Sequence, residues 1–275
     1  AIAILTIKSG LATALENGQE FELGLLIDGS DNTLAAAVQG YSEGVVNSYL
    51  MDRMPPGMKM PGISISNQVL FNPDLESSHF FVPGLLAIIL MMISALLTSI
   101  TIAREKETGT MEQLLTAPVG PMAILIGKII PYIFLAFLDG ALILVLARIL
   151  FDIPFAGSGL LLVGFGLIYV SAALSIGILI SSLVKTQQVA MMLALIMTML
   201  PSVMLSGFIF QIKNMPTFLK IISNIGPAKF FLIVIRGILL KGAGIQTLGI
   251  QAVYLLILMT TLIIIAALKF KTKVD

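Results

Sequence analysis

Cysteine and tryptophan are absent from this chain of 275 residues, and histidine occurs once. Without Cys there is no disulfide framework, thiolate zinc site or thiol nucleophile. A lone His79 cannot build a histidine metal centre or a catalytic triad within one chain, so no metal site is expected. Charge is scarce as well: 11% of residues are Asp, Glu, Lys or Arg, against 57% hydrophobic and a mean hydropathy of +1.03. A soluble domain is about a quarter charged, so too little charge remains here to wet a surface. An ordinary soluble enzyme, a disordered chain and a nucleic-acid binder are excluded, which leaves a membrane protein.

The charge that is present is unevenly spread. Residues 1–79 hold three Lys or Arg against nine Asp or Glu, whereas residues 80–275 hold thirteen against six. An acidic polar head, 1–79, is thus joined to a basic apolar body, 80–275, and the two read as separate domains. The chain opens on Ala1 with no initiator Met and no targeting segment, so a natural N-terminus further upstream is expected.

In the head, Ala1 to Ile7 and Phe21 to Ile27 read as strands, the second closed by the turn Asp28-Gly29-Ser30-Asp31. Ser9 to Asn17 allows a short helix. From Asn32 to Met51, Leu34, Val38, Tyr41, Val45 and Tyr49 recur at helical spacing. Ile63 to Phe71 makes a further strand, stopped by Asn72-Pro73. The result is a small α+β domain with no nucleophile elbow, phosphate loop or paired carboxylates. Asp28 and Asp31 are expected to bond their own turn backbone rather than a cation, and His79 to sit at a membrane interface.

A helix needs about 20 apolar residues to cross a bilayer. Phe80–Ala103, Met122–Leu150, Gly159–Val184, Val189–Ile212 and Leu248–Leu268 qualify, giving a membrane all-α bundle of five spans. The basic tail Lys269 to Lys273, with Arg104, Lys106 and Lys185, puts the C-terminus in the cytoplasm. An odd number of spans then leaves the head extracytoplasmic. Such a head implies one more span upstream, six in the full protein. Residues 213–242 break the pattern with five basic residues on the outer side. Ala228 to Leu240 is short for a span and carries Arg236, so it reads as re-entrant. Pro216 opens a preceding helix whose Phe218, Ile221, Ile222 and Ile225 form one stripe, ended by Gly226-Pro227. Together these pieces are expected to cap the outer leaflet.

Between the first two spans runs Arg104-Glu105-Lys106-Glu107-Thr108-Gly109-Thr110-Met111-Glu112-Gln113-Leu114-Leu115-Thr116-Ala117-Pro118. Thr110 and Gln113 form a capping box, Glu112 suits the positive end of the helix that follows, and Pro118 discourages continuation. A short helix over 110–117 results, with Met111, Leu114 and Leu115 available to a partner groove. On these residues alone, a charged connector that merely snorkels fits equally well.

This run resembles the coupling-helix signature of the ABC transmembrane type-2 permeases, the membrane subunits of bacterial ABC exporters. The stretch from Met204 to Gly244 resembles the same family's segment after its fifth span, with a Ser-Gly-Phe-Ile-Phe turn, a Met-Pro helix start and a later Arg-Gly. Gln211 departs from the Pro often found there. The head, with its Leu-Ile-Asp-Gly and following helix, resembles the extracytoplasmic domain of the drug-efflux-like branch. The likeness covers essentially the whole chain.

The resemblance implies a permease subunit of an ATP-driven exporter of hydrophobic or amphiphilic, drug-like molecules in the bacterial inner membrane. The chain would not be an enzyme itself: Gly127-Lys128 lacks the upstream Gly of a Walker A loop, and Ile129 stands where Ser or Thr is needed. ATP and Mg would be bound by a separate ATPase subunit, and no cofactor by this chain. Its other partners would be a second permease subunit, identical or not, the lipid bilayer and a periplasmic membrane-fusion adaptor on the acidic head, with no nucleic acid. Coupling to the ATPase would rest on Arg104, Glu105, Lys106, Glu107, Gly109, Thr110, Glu112, Leu114 and Leu115. Gly207, Pro216, Pro227, Arg236 and Gly237 would shape the outer cap. Phe80–Ala103 and Val189–Ile212 would line the central cavity.

Three features stand outside the motif. Asp139 lies near the middle of its span, where a carboxylate is costly. Lys128 and Arg148 are about 16 and 13 Å away along a helix, so a bond to another span is expected. If Asp139 instead relayed protons, the chain would be a secondary transporter or channel, though a relay normally uses several carboxylates. Met191, Met192, Met197, Met199 and Met204 suit either a cavity for varied apolar molecules or lipid-facing packing. Ala173, Gly177 and Ser181 form a small-residue ridge, the mark of a close helix contact.

Overall fold

The computed structural model describes residues 2–16, 21–53, 63–110 and 121–271, in two compact units, Ala1–Phe80 and Phe81–Asp275. The first contains β1 (Ala3–Thr6), α1 (Leu11–Glu16), β2 (Phe21–Asp28), α2 (Asn32–Arg53) and β3 (Ile63–Leu70). The strands form one sheet in the order β1-β2-β3. β1 runs antiparallel to β2, and β3 runs parallel to it from Phe21↔Ile63 to Asp28↔Leu70. A parallel neighbour requires a crossover, which α2 supplies. Alternation along β2 buries Leu23, Leu25 and Ile27. Leu25 and Ile27 join Ala35 in one small core, with Val38, Ile65 and Val69 packed against it.

The turn into α2 is held as its residue types demand. Ser30 N donates to Asp28 Oδ1 at 3.1 Å, and Leu34 N donates to Asp31 Oδ1 at 3.1 Å, so Asp31 caps the helix. A Cβ on Gly29 would stand 2.8 Å from Leu70 O, which excludes any larger residue from this turn. The inward face of α2 differs from the expected stripe. Ala35 is fully buried while Tyr41, Val45 and Tyr49 are exposed, so the helix is turned by about one residue. A small residue lets the helix lie close to the flat sheet, and that closeness takes precedence over the larger apolar side chains.

The second unit is helical. It comprises α3 (Ser77–Glu107, counted here from Phe81), α4 (Pro121–Phe151), α5 (Gly159–Leu183), α6 (Gln187–Leu205), a 3-10 turn Ile212–Asn214, α7 (Thr217–Ser223), α8 (Pro227–Lys241) and α9 (Ile245–Lys271). Among the described residues, five helices are long and apolar enough to cross a membrane: Ser77–Glu107, Ile126–Phe151, Gly159–Leu183, Gln187–Leu205 and Ile245–Leu268. The pair α7 and α8, bent by 79°, forms a broken span or a re-entrant loop. This is a multi-pass membrane protein, and its burial pattern agrees. α4, α6 and α9 expose Leu138, Leu142, Met192, Ile196, Ile257 and Ile264, while Ser94, Thr98, Ser175, Ser181, Thr198 and Ser202 are buried. Spans associate through small and hydroxyl residues because lipid is as apolar as their outer faces.

The core of this unit gathers Leu86, Met91, Tyr169, Phe231, Ile235, Ile238 and Leu255 from α3, α5, α8 and α9. Tyr169 and Phe231 stack with ring centroids 4.1 Å apart, and the Tyr169 hydroxyl donates to Ala87 O at 2.6 Å. One side chain thereby joins three helices. The small-residue ridge on α5 meets α3 as its composition requires: a Cβ on Gly177 would collide with Ala95 O. The two helices within residues 213–242 differ in burial. On α8 the face with Val234, Ile235 and Ile238 is fully buried in the core, while Ile233 and Lys241 stay exposed. α7, in contrast, leaves Phe218 and Ile221 exposed, and the turn after it leaves Ile225 exposed.

Candidate functional site

The last turns of α3 carry Arg104-Glu105-Lys106-Glu107, and three of these side chains reach different helices. Glu105 forms a short ion pair with Lys128 near the start of α4, both side chains being largely withdrawn from solvent. The Lys106 ammonium donates to Ser181 O near the end of α5 in another short contact. Glu107 Oε2 accepts from Gln187 N at 2.9 Å and from Gln187 Nε2 at 3.2 Å. Thr186, at the N-cap of α6, makes no side-chain cap of its own. Glu107 therefore supplies the cap from another helix, an anion at the positive end of the α6 dipole. Ser99 reinforces the α3–α6 contact through Ala190 O at 3.4 Å, and Thr101 meets the Tyr132 hydroxyl at 2.5 Å.

The end of α3 is shaped to leave abruptly. Gly109 adopts φ +74°, a left-handed geometry that favours glycine. Thr108 N and Oγ1 both donate to Arg104 O at 2.9 Å, and Thr110 Oγ1 donates to Glu105 O at 3.3 Å, so the last carbonyls of the helix are satisfied. Arg104 is exposed, as are Gly109 and Thr110. Glu112, Leu114 and Leu115, with the rest of the expected helix 110–117 and its capping partner Gln113, lie outside the described residues.

The residues expected to shape the outer segment fall into two groups. Arg236 Nη1 donates to Gly207 O at 3.3 Å, and Gly207 turns the chain with φ +85°. Gly84 admits Phe208 and Arg236 against α3, since a Cβ there would run into the Phe208 ring. Pro216 and Pro227 start α7 and α8, and Gly237 packs close to Leu248, 3.1 Å from where its Cβ would stand. Asp139 is half-buried and forms no hydrogen bond or ion pair among the described residues, so the expected bond to another span is not made. Arg148 turns the other way, pairing with Asp152 at 3.0 Å and donating to Ile153 O at 3.1 Å. The methionines Met191, Met192, Met197, Met199 and Met204 are exposed on α6, whose buried stripe is Ala190, Ala194, Thr198 and Ser202.

Lys128 and Gln187 are the partners that sequence reasoning missed. The only signal was that each lies near a span end on the same side as Arg104. Among the described residues no cluster of His, Asp and Glu could hold a metal ion.

Apolar spans tied together at one charged end, in a chain that also carries a separate small α+β unit, define a multi-pass membrane protein. The model of the ABC-2 family transporter proteins matches residues 1–269, and the chain belongs to that family as the permease component of an ABC transporter. A probable multidrug ABC transporter permease of Escherichia coli K12, YbhS, is 35% identical over 253 residues, covering 91% of this chain and 67% of the relative. A second probable multidrug ABC transporter permease of that strain, YbhR, is 30% identical over 274 residues, 100% of this chain and 74% of the relative. The inner membrane transport permease YhhJ is 26% identical over 260 residues, 92% of this chain and 68% of the relative. Membership of the family implies a separate ATPase partner.

Proposed function

We propose that this permease is the membrane subunit of an ATP-driven exporter that moves hydrophobic or amphiphilic, drug-like molecules out of the bacterial cytoplasm. The observation that carries the reading is the tie of α3 to α4, α5 and α6 through Glu105, Lys106 and Glu107. A push on the segment 104–118 is delivered to four spans at once. In this reading Arg104, Gly109, Thr110, Glu112, Leu114 and Leu115 meet the ATPase subunit, which holds ATP and Mg. Two permease subunits form the pathway, the C-terminus is cytoplasmic, and the head is extracytoplasmic and able to receive an adaptor. The names of YbhS and YbhR, probable multidrug permeases, support the substrate class.

The test is ATP-dependent uptake of a lipophilic dye into inside-out vesicles that contain the permease and its ATPase. Leu114→Pro and Glu107→Lys should abolish uptake while leaving the permease in the membrane, and Asp139→Asn should leave uptake near normal. Uptake that survives the first two changes and vanishes with the third would make this a secondary transporter working through Asp139.

A further inference from the structure

We propose that a cavity within one permease chain, bounded by the α7–α8 turn and by α5, α6 and α9, binds an amphiphile whose anionic head is held by Lys229. The cavity measures about 330 Å³ and is walled by Ile180, Met197, Leu205, Ile222 and Leu262, with Lys229 as its one charged residue. That volume lies within the range of sites that enclose drug-sized ligands. Met91 and Met197 both line it, and flexible thioethers adapt to apolar bodies of varied shape.

The cavity runs from the middle of the spans to the α7–α8 turn, where its cation sits. Met91, Ile176 and Leu262 line it from within α3, α5 and α9, and Leu205, Ser223 and Pro227 line it from the ends of α6, α7 and α8. Lys229 is partly exposed at this turn, so a charged head can reach it while an apolar chain enters the cavity. Lys229 donates to neutral acceptors, Asn224 Oδ1 at 2.6 Å and Ser223 Oγ at 3.2 Å, and its Nζ lies 5.5 Å from the Phe230 ring centroid. An ammonium has three donors, and no carboxylate pairs with this one among the described residues. Lys229 also sits in the first turn of α8, a turn with no acidic residue and no side-chain cap. The helix dipole there is positive, so the cation is at its unfavourable end. A carboxylate or phosphate brought in by a ligand would relieve both the unpaired charge and the uncapped turn, while its chain fills the apolar walls. Binding stands independently of the export reading. Only the role of the bound molecule as cargo rests on it.

The probe is palmitic acid bearing a diazirine on its chain, applied to the full permease in detergent and mapped by mass spectrometry. The methyl ester and a matched alkyltrimethylammonium serve as comparisons. The acid should label Met197, Leu205 or Ile222 about tenfold more strongly than the ester, the worth of one charge-assisted hydrogen bond. Lys229→Gln should erase that preference while ester labelling persists, which shows that the cavity is still formed, and Lys229→Arg should keep it. Equal labelling by acid and ester, stronger labelling by the alkylammonium, or labelling confined to other residues would overturn the site. Release of the label on adding ATP and the ATPase subunit marks the amphiphile as cargo. Displacement by phosphatidylglycerol vesicles without such release marks a resident anionic lipid, and either result supports the site. Absence of acid preference in the unaltered permease, with ATP-driven uptake intact, refutes this site and leaves the exporter standing. Retained preference without ATP-driven uptake does the reverse.

Discussion

Glu107 closes the first turn of α6 from the end of α3. Replacing it by Ala should cost about 0.5–2 kcal/mol, the usual worth of an N-cap, read as a lowered melting temperature of the permease in detergent. Tyr169→Phe should cost about 1 kcal/mol through the lost bond to Ala87 O. Phe231→Ala, which removes the stacked ring, should cost about 3–5 kcal/mol by the same measurement. Sequence reasoning reached Glu105 and Glu107 but assigned them to an outside partner. A charge at a span end reads the same whether its partner belongs to the same chain or to another. Tyr169 gave no warning, since its role depends on which helices come together around it. Asp139 shows the opposite failure: its cost in a span is legible, the absence of a partner for it among the described residues is not.

The spans were legible because twenty-odd apolar residues bounded by Lys and Arg admit few other readings. The strands of the head were legible because alternation along Phe21–Asp28 and the Asp28-Gly29 turn leave little choice. The face of α2 and the depth of α8 were not, because each depends on how closely a neighbour can approach. For α8 the consequence is measurable: Ile235→Ala, in the buried core, should cost about 2–5 kcal/mol. Phe218→Ser on exposed α7 should cost far less. The tie between α3 and α4 is open to a charge swap. Glu105→Lys and Lys128→Glu should each depress ATP-dependent dye uptake, and the double reversal should restore a large part of it. Failure of the double reversal to restore uptake would mean that the pair does not act as a unit.

At the scale of the whole molecule, the absence of cysteine gives a clean background for mapping sidedness. Tyr41→Cys, on the exposed face of α2, should react with a membrane-impermeant maleimide in intact spheroplasts. Lys185→Cys, in the short link between α5 and α6, should react only in inside-out vesicles. Reversal of that pattern would place the head in the cytoplasm. The central claim is that the segment after α3 rests on a separate ATPase, and crosslinking tests it most directly. With Leu115→Cys as the only thiol in these 275 residues and any Cys outside them replaced, a thiol-to-amine crosslinker added to inside-out vesicles should join the permease to its ATPase subunit, and nucleotide should change the yield. Absence of that product in vesicles that still perform ATP-driven uptake would contradict the coupling role of residues 104–118.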